Sequence, residues 1–283
     1  MSYRNPSYRT RILARRTVDA VVTALIALIC LFPILWGLST SLKPANRIMA
    51  YPPEFIPSQV SFEHYATLWQ QNVLHYVFNS VVVSFFTILV CLAVGALAGY
   101  SLARFAFRGR SLVLLVIVAV MSVPISSLLV PTFGFMVDLG LLNTRTGLVL
   151  LYAAYELPMT VWILQAFFQT IPVELERAAM IDGYSRLAAI RRVILPLSTT
   201  GLVAAGLFVL TFAWNDFVVA LVMTTNNDVR TLPIAIYNFL GYYGREWGPL
   251  TAGAMVSTAP LIILFVAFQR YFLSGVTGGS VKG

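Results

Sequence analysis

Long apolar runs separated by short polar or basic stretches dominate this chain. Six of them approach or exceed the roughly 20 residues that a helix needs to cross about 30 Å of hydrocarbon. They are 18–40, 79–103, 111–131, 147–168, 199–222 and 250–272. Pro33, Pro124, Pro158 and Pro260 fall inside these runs. Neighbouring helices can re-satisfy the carbonyls that a proline frees, so kinks are expected there. The first run follows a basic leader, as a signal peptide would. Its apolar stretch exceeds the usual length of about 7–15 residues, and Ser39–Thr40–Ser41 is a poor cleavage site, so it reads as a retained span.

Composition narrows the class. Hydrophobic residues make up 59% and charged residues 11%, where an average soluble chain carries about 25% charged residues. Too few charges remain to cover a soluble exterior. The expected fold class is an all-α integral membrane protein with six transmembrane helices. The formal net charge of +8 could suggest nucleic acid, but the placement of the cations points to lipid topology. Arg4, Arg9, Arg11, Arg15 and Arg16 precede the first run; Arg104, Arg108, Arg110, Arg177, Arg186, Arg191, Arg192, Arg270 and Lys282 fall on the same side. Only Lys43, Arg47, Arg145, Arg230 and Arg245 lie opposite. That bias places both termini in the cytoplasm and accounts for the basic balance without a nucleic-acid partner. The expected location is a bacterial or archaeal cytoplasmic membrane, with lipid as a partner.

The intervening stretches differ in character. Residues 41–76 combine Pro44, Pro52, Pro53 and Pro57 with Tyr51, Phe55, Trp69 and Tyr76, as in an ordered outer loop on the membrane interface. The stretch 223–249 carries Tyr237, Tyr242, Tyr243 and Trp247. Such aromatics anchor helix ends at the interface, or here form a docking surface for an outside partner. The Gly95–x–x–x–Gly99 pair allows close helix approach. Cys30 and Cys91 both lie in apolar runs and read as packing residues. His64 and His75 belong to no metal-ligand cluster, and no metal site is expected. No phosphate-binding G-x-x-x-x-G-K-[ST] loop is present, so no nucleotide is bound by that route. Catalytic residues: none are expected.

One polar segment is more specific. In residues 171–197, Pro172 suits a helix start, and Glu174 and Glu176 favour its macrodipole. Gly183 can end that helix with positive φ, and Ser185 can cap a second one. Leu187, Ile190, Ile194 and Leu197 then recur at helical spacing as one apolar stripe, with Arg191 and Arg192 largely off it. Pro196 interrupts the chain before the fifth run. The segment reads as a helix-turn-helix on the cytoplasmic side, resting on lipid headgroups or docked to a protein.

The order of residues resembles the EAA loop of binding-protein-dependent ATP-binding-cassette importers, E-A-A-x-x-D-G followed by nine residues and I-x-L-P. Ala178, Ala179, Asp182 and Gly183 match, and Val193, Leu195 and Pro196 fill the second half conservatively. Arg177 stands where the pattern has Glu, with Glu176 one position earlier. Phe32-Pro33, Ser39 to Pro44, Tyr51-Pro-Pro, Ser101 to Phe105, Gly140 to Thr144, Trp214-Asn215-Asp216 and Gln269 to Phe272 look like the carbohydrate-importing branch, in its usual order. The resemblance implies that the loop is a coupling helix for an ATPase, carried by Glu174, Glu176, Arg177, Ala178, Ala179, Asp182, Gly183, Leu195 and Pro196. It further implies a second homologous permease, two ATPase subunits that use ATP and Mg, and an extracytoplasmic solute-binding protein. This chain itself is expected to hold no cofactor. Its parts would be a basic leader 1–17, a membrane domain 18–274 containing the loop 171–197, and a flexible tail 275–283.

Ionisable groups inside spans are expensive and mark candidate function. Glu156 falls near the middle of the fourth run, and Asp216 in the outer half of the fifth beside Trp214 and Asn215. Aromatic faces beside polar side chains suit a sugar, so Glu156, Trp214, Asn215 and Asp216 are candidate path residues. The alternatives are a Glu156 paired with a partner subunit or a buried amide, and a packing or gating role for the Trp-Asn-Asp set. A different class, a proton-coupled secondary carrier using an intramembrane carboxylate, would transport unaided; a scaffold would not transport at all.

Overall fold

A computed structural model of the chain describes residues 6–240 and 246–278. Among the described residues the regular elements are helical. They are α1 (Pro6–Ser41), α2 (Glu63–Gln70), α3 (Val73–Arg104), α4 (Arg110–Met121), α5 (Ile125–Asp138), α6 (Arg145–Thr170), α7 (Val173–Ile181), α8 (Arg186–Ala189), α9 (Leu195–Leu197), α10 (Thr199–Asn215), α11 (Val218–Met223), α12 (Leu232–Tyr237) and α13 (Trp247–Gly278). Among the described residues, four helices are long and apolar enough to cross a membrane, and up to six if each of two bent pairs counts as one span. The helices outrun the expected leader and tail, since α1 starts at Pro6 and α13 continues to Gly278. Arg4, Tyr242, Tyr243, Arg245 and Lys282, and the tail beyond Gly278, lie outside the described residues.

The kink expected at Pro124 is a sharp break, and the fifth run, expected as one span, is corrected. The third run breaks between α4 and α5, which meet at 95°. Pro124 occupies the cap position of α5 with extended backbone; its ring disfavours helical geometry in the residue before it and supplies no N–H. The fifth run does not continue to residue 222 as one helix. α10 ends at Asn215, Asp216 turns extended with ψ 127°, and α11 restarts at Val218. Pro33, Pro158 and Pro260 instead stay inside α1, α6 and α13.

The chain divides into two compact units. Residues up to Gln71 and Phe239–Val256 form the first. There Ser61 N–H donates to the Leu42 carbonyl at 2.8 Å, and His64 Nε2 lies 2.8 Å from the Lys43 carbonyl. Lys43 is itself buried, its Nζ 4.6 Å above the Trp36 ring, a cation–π contact. Phe32 and Trp36 stack with Phe55. Glu54 accepts from the Ser58 amide at 3.1 Å and hydroxyl at 3.0 Å and pairs with Arg47 at 3.3 Å. The Ser58 amide first, then its hydroxyl, holds this carboxyl below its ordinary value. Along α1, side chains from Arg15 to Pro33 are exposed in the isolated chain, Cys30 among them.

Residues Asn72–Asn238 and Ser257 onward form the second unit, built on α3, α6 and α10. The Gly95–Gly99 pair explains how closely α3 approaches α6. A Cβ on Gly95 would sit 2.6 Å from Thr160 Cγ2, and one on Gly99 3.0 Å from the Gln165 backbone nitrogen. Small residues at such crossings let two backbones meet. Cys91, Ala153 and Val209 fill the crossing of the three helices, as expected of a packing cysteine. Toward one end of the unit, Val83, Leu148, Tyr152, Ala213, Val219 and Ile234 form a core; toward the other, Ala96, Tyr100, Leu164, Phe168, Ile194 and Ala205 do.

Candidate functional site

The segment after α6 folds as its punctuation predicts. Pro172 takes the cap position of α7, with Glu174 and Glu176 in the first turn. At the other end Gly183 adopts φ +92°. Tyr184 N–H reaches back to the Ala179 carbonyl at 3.1 Å and Gly183 N–H to the Met180 carbonyl at 3.1 Å. This nested pair of bonds satisfies the last carbonyls of α7 and requires the left-handed residue between. Ser185 then accepts from the Ala188 amide and starts α8.

The second helix departs from expectation. Residues Ile190–Ile194 form a π-helical turn, and the amide of Leu195 bonds to the Ile190 carbonyl. Pro196 cannot donate to the carbonyl four residues back and its ring would crowd it, so the preceding turn widens. The extra residue in that turn rotates α9 relative to α8. Ile194 is buried and Ile190 half-buried, but Leu187 and Leu197 are exposed, so the four do not form one buried stripe. The interruption falls after Pro196, near Ser198, where the 186–197 and 199–215 stretches meet at 77°.

The loop residues face two ways. Glu174, Arg177, Ala178, Asp182, Gly183 and Pro196 are exposed, Leu195 is half-buried, and Ala179 and Glu176 are buried. Ile181 and Leu187 present apolar side chains that are 85% and 69% exposed, with Tyr184 between them in sequence. Glu176 points the other way. Its Oε2 lies 3.2 Å from Arg104 Nε at the end of α3, its Oε1 accepts the Tyr100 hydroxyl, and both charged side chains are nearly fully buried. Arg104 Nη2 also donates to the Ile171 carbonyl at 3.0 Å.

The intramembrane candidates do not converge. Glu156, in the middle of α6, is 6% exposed, and its Oε2 has no hydrogen-bond partner within the chain. It borders a cavity of about 340 Å³ with Ala204, Leu207, Phe208, Thr211, Phe212 and Phe265. Trp214 instead lines a separate apolar cavity of about 480 Å³ and donates from Nε1 to the Ser257 carbonyl at 2.9 Å. Asn215 is exposed and donates to the Thr211 carbonyl at 2.8 Å. Asp216 Oδ2 accepts the Tyr152 hydroxyl at 2.7 Å and the Ala220 amide at 3.0 Å, so it caps α11.

A second feature of this unit went unread in the sequence. Asn143, with φ +59°, accepts the Thr225 and Asn226 amides at 3.1 and 2.9 Å. Asn79 donates to the Asp228 and Arg230 carbonyls and accepts from Arg145 Nε at 2.9 Å. The stretch 224–230 is thereby fixed to α3 and α6. No local pattern announces this clamp, because its partners come from distant segments.

Residues 92–278 match the family described as "Binding-protein-dependent transport system inner membrane component". The chain belongs to this family. Trehalose transport system permease protein SugB of Mycobacterium tuberculosis is 37% identical over 95% of this chain and 98% of its own. Trehalose/maltose transport system permease protein MalG of Thermococcus litoralis is 34% identical with the same coverage. A solved bacterial ABC transporter that imports the acidic polysaccharide alginate shares the fold, with a TM-score of 0.76 at 22% identity over 96% of this chain and 100% of that one. The proton-coupled carrier finds no support among these relatives. As a binding-protein-dependent transport component, the chain is a transport subunit of a membrane assembly, and the family match spans α7, the π turn, Glu156 and Trp214-Asn215-Asp216.

Proposed function

We propose that this chain is the transmembrane permease subunit of an ATP-driven importer that moves a carbohydrate across the cytoplasmic membrane by alternating access. Relatives named for trehalose and maltose transport support the solute class. Both termini face the cytoplasm, following the distribution of Lys and Arg. A second permease covers the apolar flanks that the isolated chain leaves open, two ATPases supply the energy from ATP and Mg, and an extracytoplasmic binding protein delivers solute. The chain holds no cofactor and performs no catalysis of its own.

The observation that carries this reading is the capped α7–α8 turn with its exposed Ile181 and Leu187. Apolar side chains held out on a loop with fixed ends suit insertion into a protein cleft. Glu174, Arg177, Ala178, Asp182 and Gly183 surround that contact, while Glu176, Ala179, Leu195 and Pro196 shape the loop behind it. ATP-driven closure of the ATPases moves the loop and swings the helices between inward-open and outward-open states. This requires the ATPases to bind the two states with different affinity, since equal affinity shifts no equilibrium. Glu156 lines the solute path with Thr211 and the surrounding rings. Trp214, Asn215 and Asp216 border it, and their internal hydrogen bonds give them a shaping role.

Reconstitution into vesicles tests this. The chain with partner permease, ATPases and binding protein should take up sugar only when ATP is supplied on the ATPase side. Uptake by this chain alone, driven by a proton gradient, would overturn the assignment. Thermal stabilisation of the binding protein across a sugar panel then identifies the solute.

A further inference from the structure

Charged side chains in an apolar interior are costly unless paired, and breaking such a pair strands a charge. Arg104 and Glu176 form such a pair, with side-chain exposures of 6% and 5% and a nitrogen-to-oxygen distance of 3.2 Å. The pair joins the last residue of α3 to the first turn of α7. Tyr100, one helical turn before Arg104, donates its hydroxyl to the other Glu176 oxygen. Arg104 binds the Ile171 carbonyl through a second nitrogen, at the junction of α6 and α7. The Tyr100 ring is set edge-on against Phe168 and Phe105, with centroids 6.2 and 6.1 Å away, and Arg186 of α8 covers Phe105 at 4.9 Å. Three helix ends and the start of α8 thus meet around one carboxylate.

We propose that Glu176, Arg104 and Tyr100 form the latch that transmits movement of the 171–197 loop into the membrane core, with Arg104 and Tyr100 as positioning residues for energy coupling. The inference rests on the loop being the ATPase-coupling element. Glu176 belongs to the loop by sequence but is turned inward, so its contribution to coupling runs through α3 and not through an ATPase contact. The path beyond the latch is stiff. α3 is packed without side-chain spacers on α6 through Gly95 and Gly99, and α10 closes on both through Ala205 and Val209. Arg104 Nε and Glu176 Oε2 attract by charge at 3.2 Å without a hydrogen bond between them, so the directional holds are the Tyr100 hydroxyl on Glu176 Oε1 and Arg104 Nη2 on the Ile171 carbonyl. The α6–α7 link is a single extended turn at Ile171–Pro172, which transmits little by itself.

The test uses the assembled transporter with its binding protein, solute and ATP. Glu176→Gln keeps the side-chain shape and removes the charge, and Tyr100→Phe removes one hydrogen bond with little change of volume. The readout is solute imported per ATP hydrolysed, beside ATPase rate and subunit stoichiometry. The latch predicts that Glu176→Gln cuts this ratio by about tenfold, within the usual span of coupling between sites, and Tyr100→Phe by about threefold, as for one lost hydrogen bond. Complex assembly and solute-independent hydrolysis should persist, and Glu176→Asp should recover part of the ratio. A wild-type ratio in both variants overturns the proposal, as does a fall in transport and hydrolysis in the same proportion. If Glu176→Gln fails to assemble, Tyr100→Phe decides alone. Failure of the underlying loop assignment looks different: ATPases would not co-purify even with the unaltered chain, and crosslinks at Ile181 would capture only lipid.

Discussion

The Tyr152 hydroxyl donates to Asp216 Oδ2 at 2.7 Å, and the same oxygen accepts the Ala220 amide at 3.0 Å. One carboxylate therefore ties α6 to the break between α10 and α11 and satisfies an amide of α11 that has no helical partner. Asp216→Ala should destabilise the protein by about 0.5–2 kcal/mol, the usual cost of a lost cap. Tyr152→Phe should cost about 0.5–1.5 kcal/mol, the net value of one hydrogen bond. Thermal unfolding of the purified complex checks both. A shaping role predicts unchanged solute affinity in whatever Tyr152→Phe complex remains folded. A changed affinity with unaltered stability would make Asp216 a solute ligand.

Gly183 gives a separation between space and backbone strain. Nothing lies within 4 Å of where its Cβ would stand, yet its φ is +92°. Left-handed backbone costs most side chains about 1–2 kcal/mol, with Asn the exception. Gly183→Asn should therefore retain most transport, and Gly183→Val should lose it while the subunit still inserts. Uptake assays on vesicles with matched subunit content distinguish the pair. Equal uptake by Gly183→Val would remove loop geometry from the coupling mechanism. Asp182→Arg, on the exposed face beside it, should also abolish transport.

Local rules made part of this molecule legible. Apolar run length located the helices, because a membrane demands a fixed length of hydrocarbon-compatible chain. Pro172, Gly183 and Ser185 marked the ends of α7 and α8, because caps act on neighbouring amides. Direction was not legible. Hydropathy treats Asp216–Phe217 as interior to a span, although the backbone turns there, whereas Pro124 announced a bend but not its 95° size. The stripe from Leu187 to Leu197 is interrupted because Pro196 has no N–H to donate and the turn before it is π-helical, which shifts the helical register. Arg104 read as a topology charge and Glu176 as a helix-dipole residue of the coupling loop. Their burial depends on pairing across the fold, and Tyr100, which shares that carboxylate, is 76 residues away from it in the chain. No window of sequence contains both partners.

The α3–α6 crossing offers a packing test independent of the loop. At Gly99 a Cβ would meet the Gln165 nitrogen at 3.0 Å and the Val161 carbonyl oxygen at 3.2 Å, both backbone atoms that cannot rotate aside. Gly99→Val should destabilise by about 1–3 kcal/mol, the ordinary range for overpacking. At Gly134 nothing stands within 4 Å, so Gly134→Ala should have little steric effect. Unfolding of the two variants side by side measures the difference. Equal stability would show that α3 and α6 separate more readily than their geometry indicates.

Glu156 is the residue whose role one substitution can decide. Its Oε2 is buried without a partner in this chain, beside a cavity edged by three phenylalanines and Thr211. A stranded carboxyl is costly, so in the assembly either solute, a partner subunit or water must meet it. Glu156→Gln preserves size while replacing one acceptor oxygen with an uncharged NH2 donor. If Glu156 lines the solute path, the variant should assemble normally and change the rate or the solute range by about tenfold, as for a lost hydrogen bond to a charged group. If it pairs with a cation of the second permease, subunit association should weaken while any assembled complex transports normally. Comparing complex yield with uptake per assembled complex separates the two outcomes, and unchanged values for both would leave Glu156 outside the path and outside the interface.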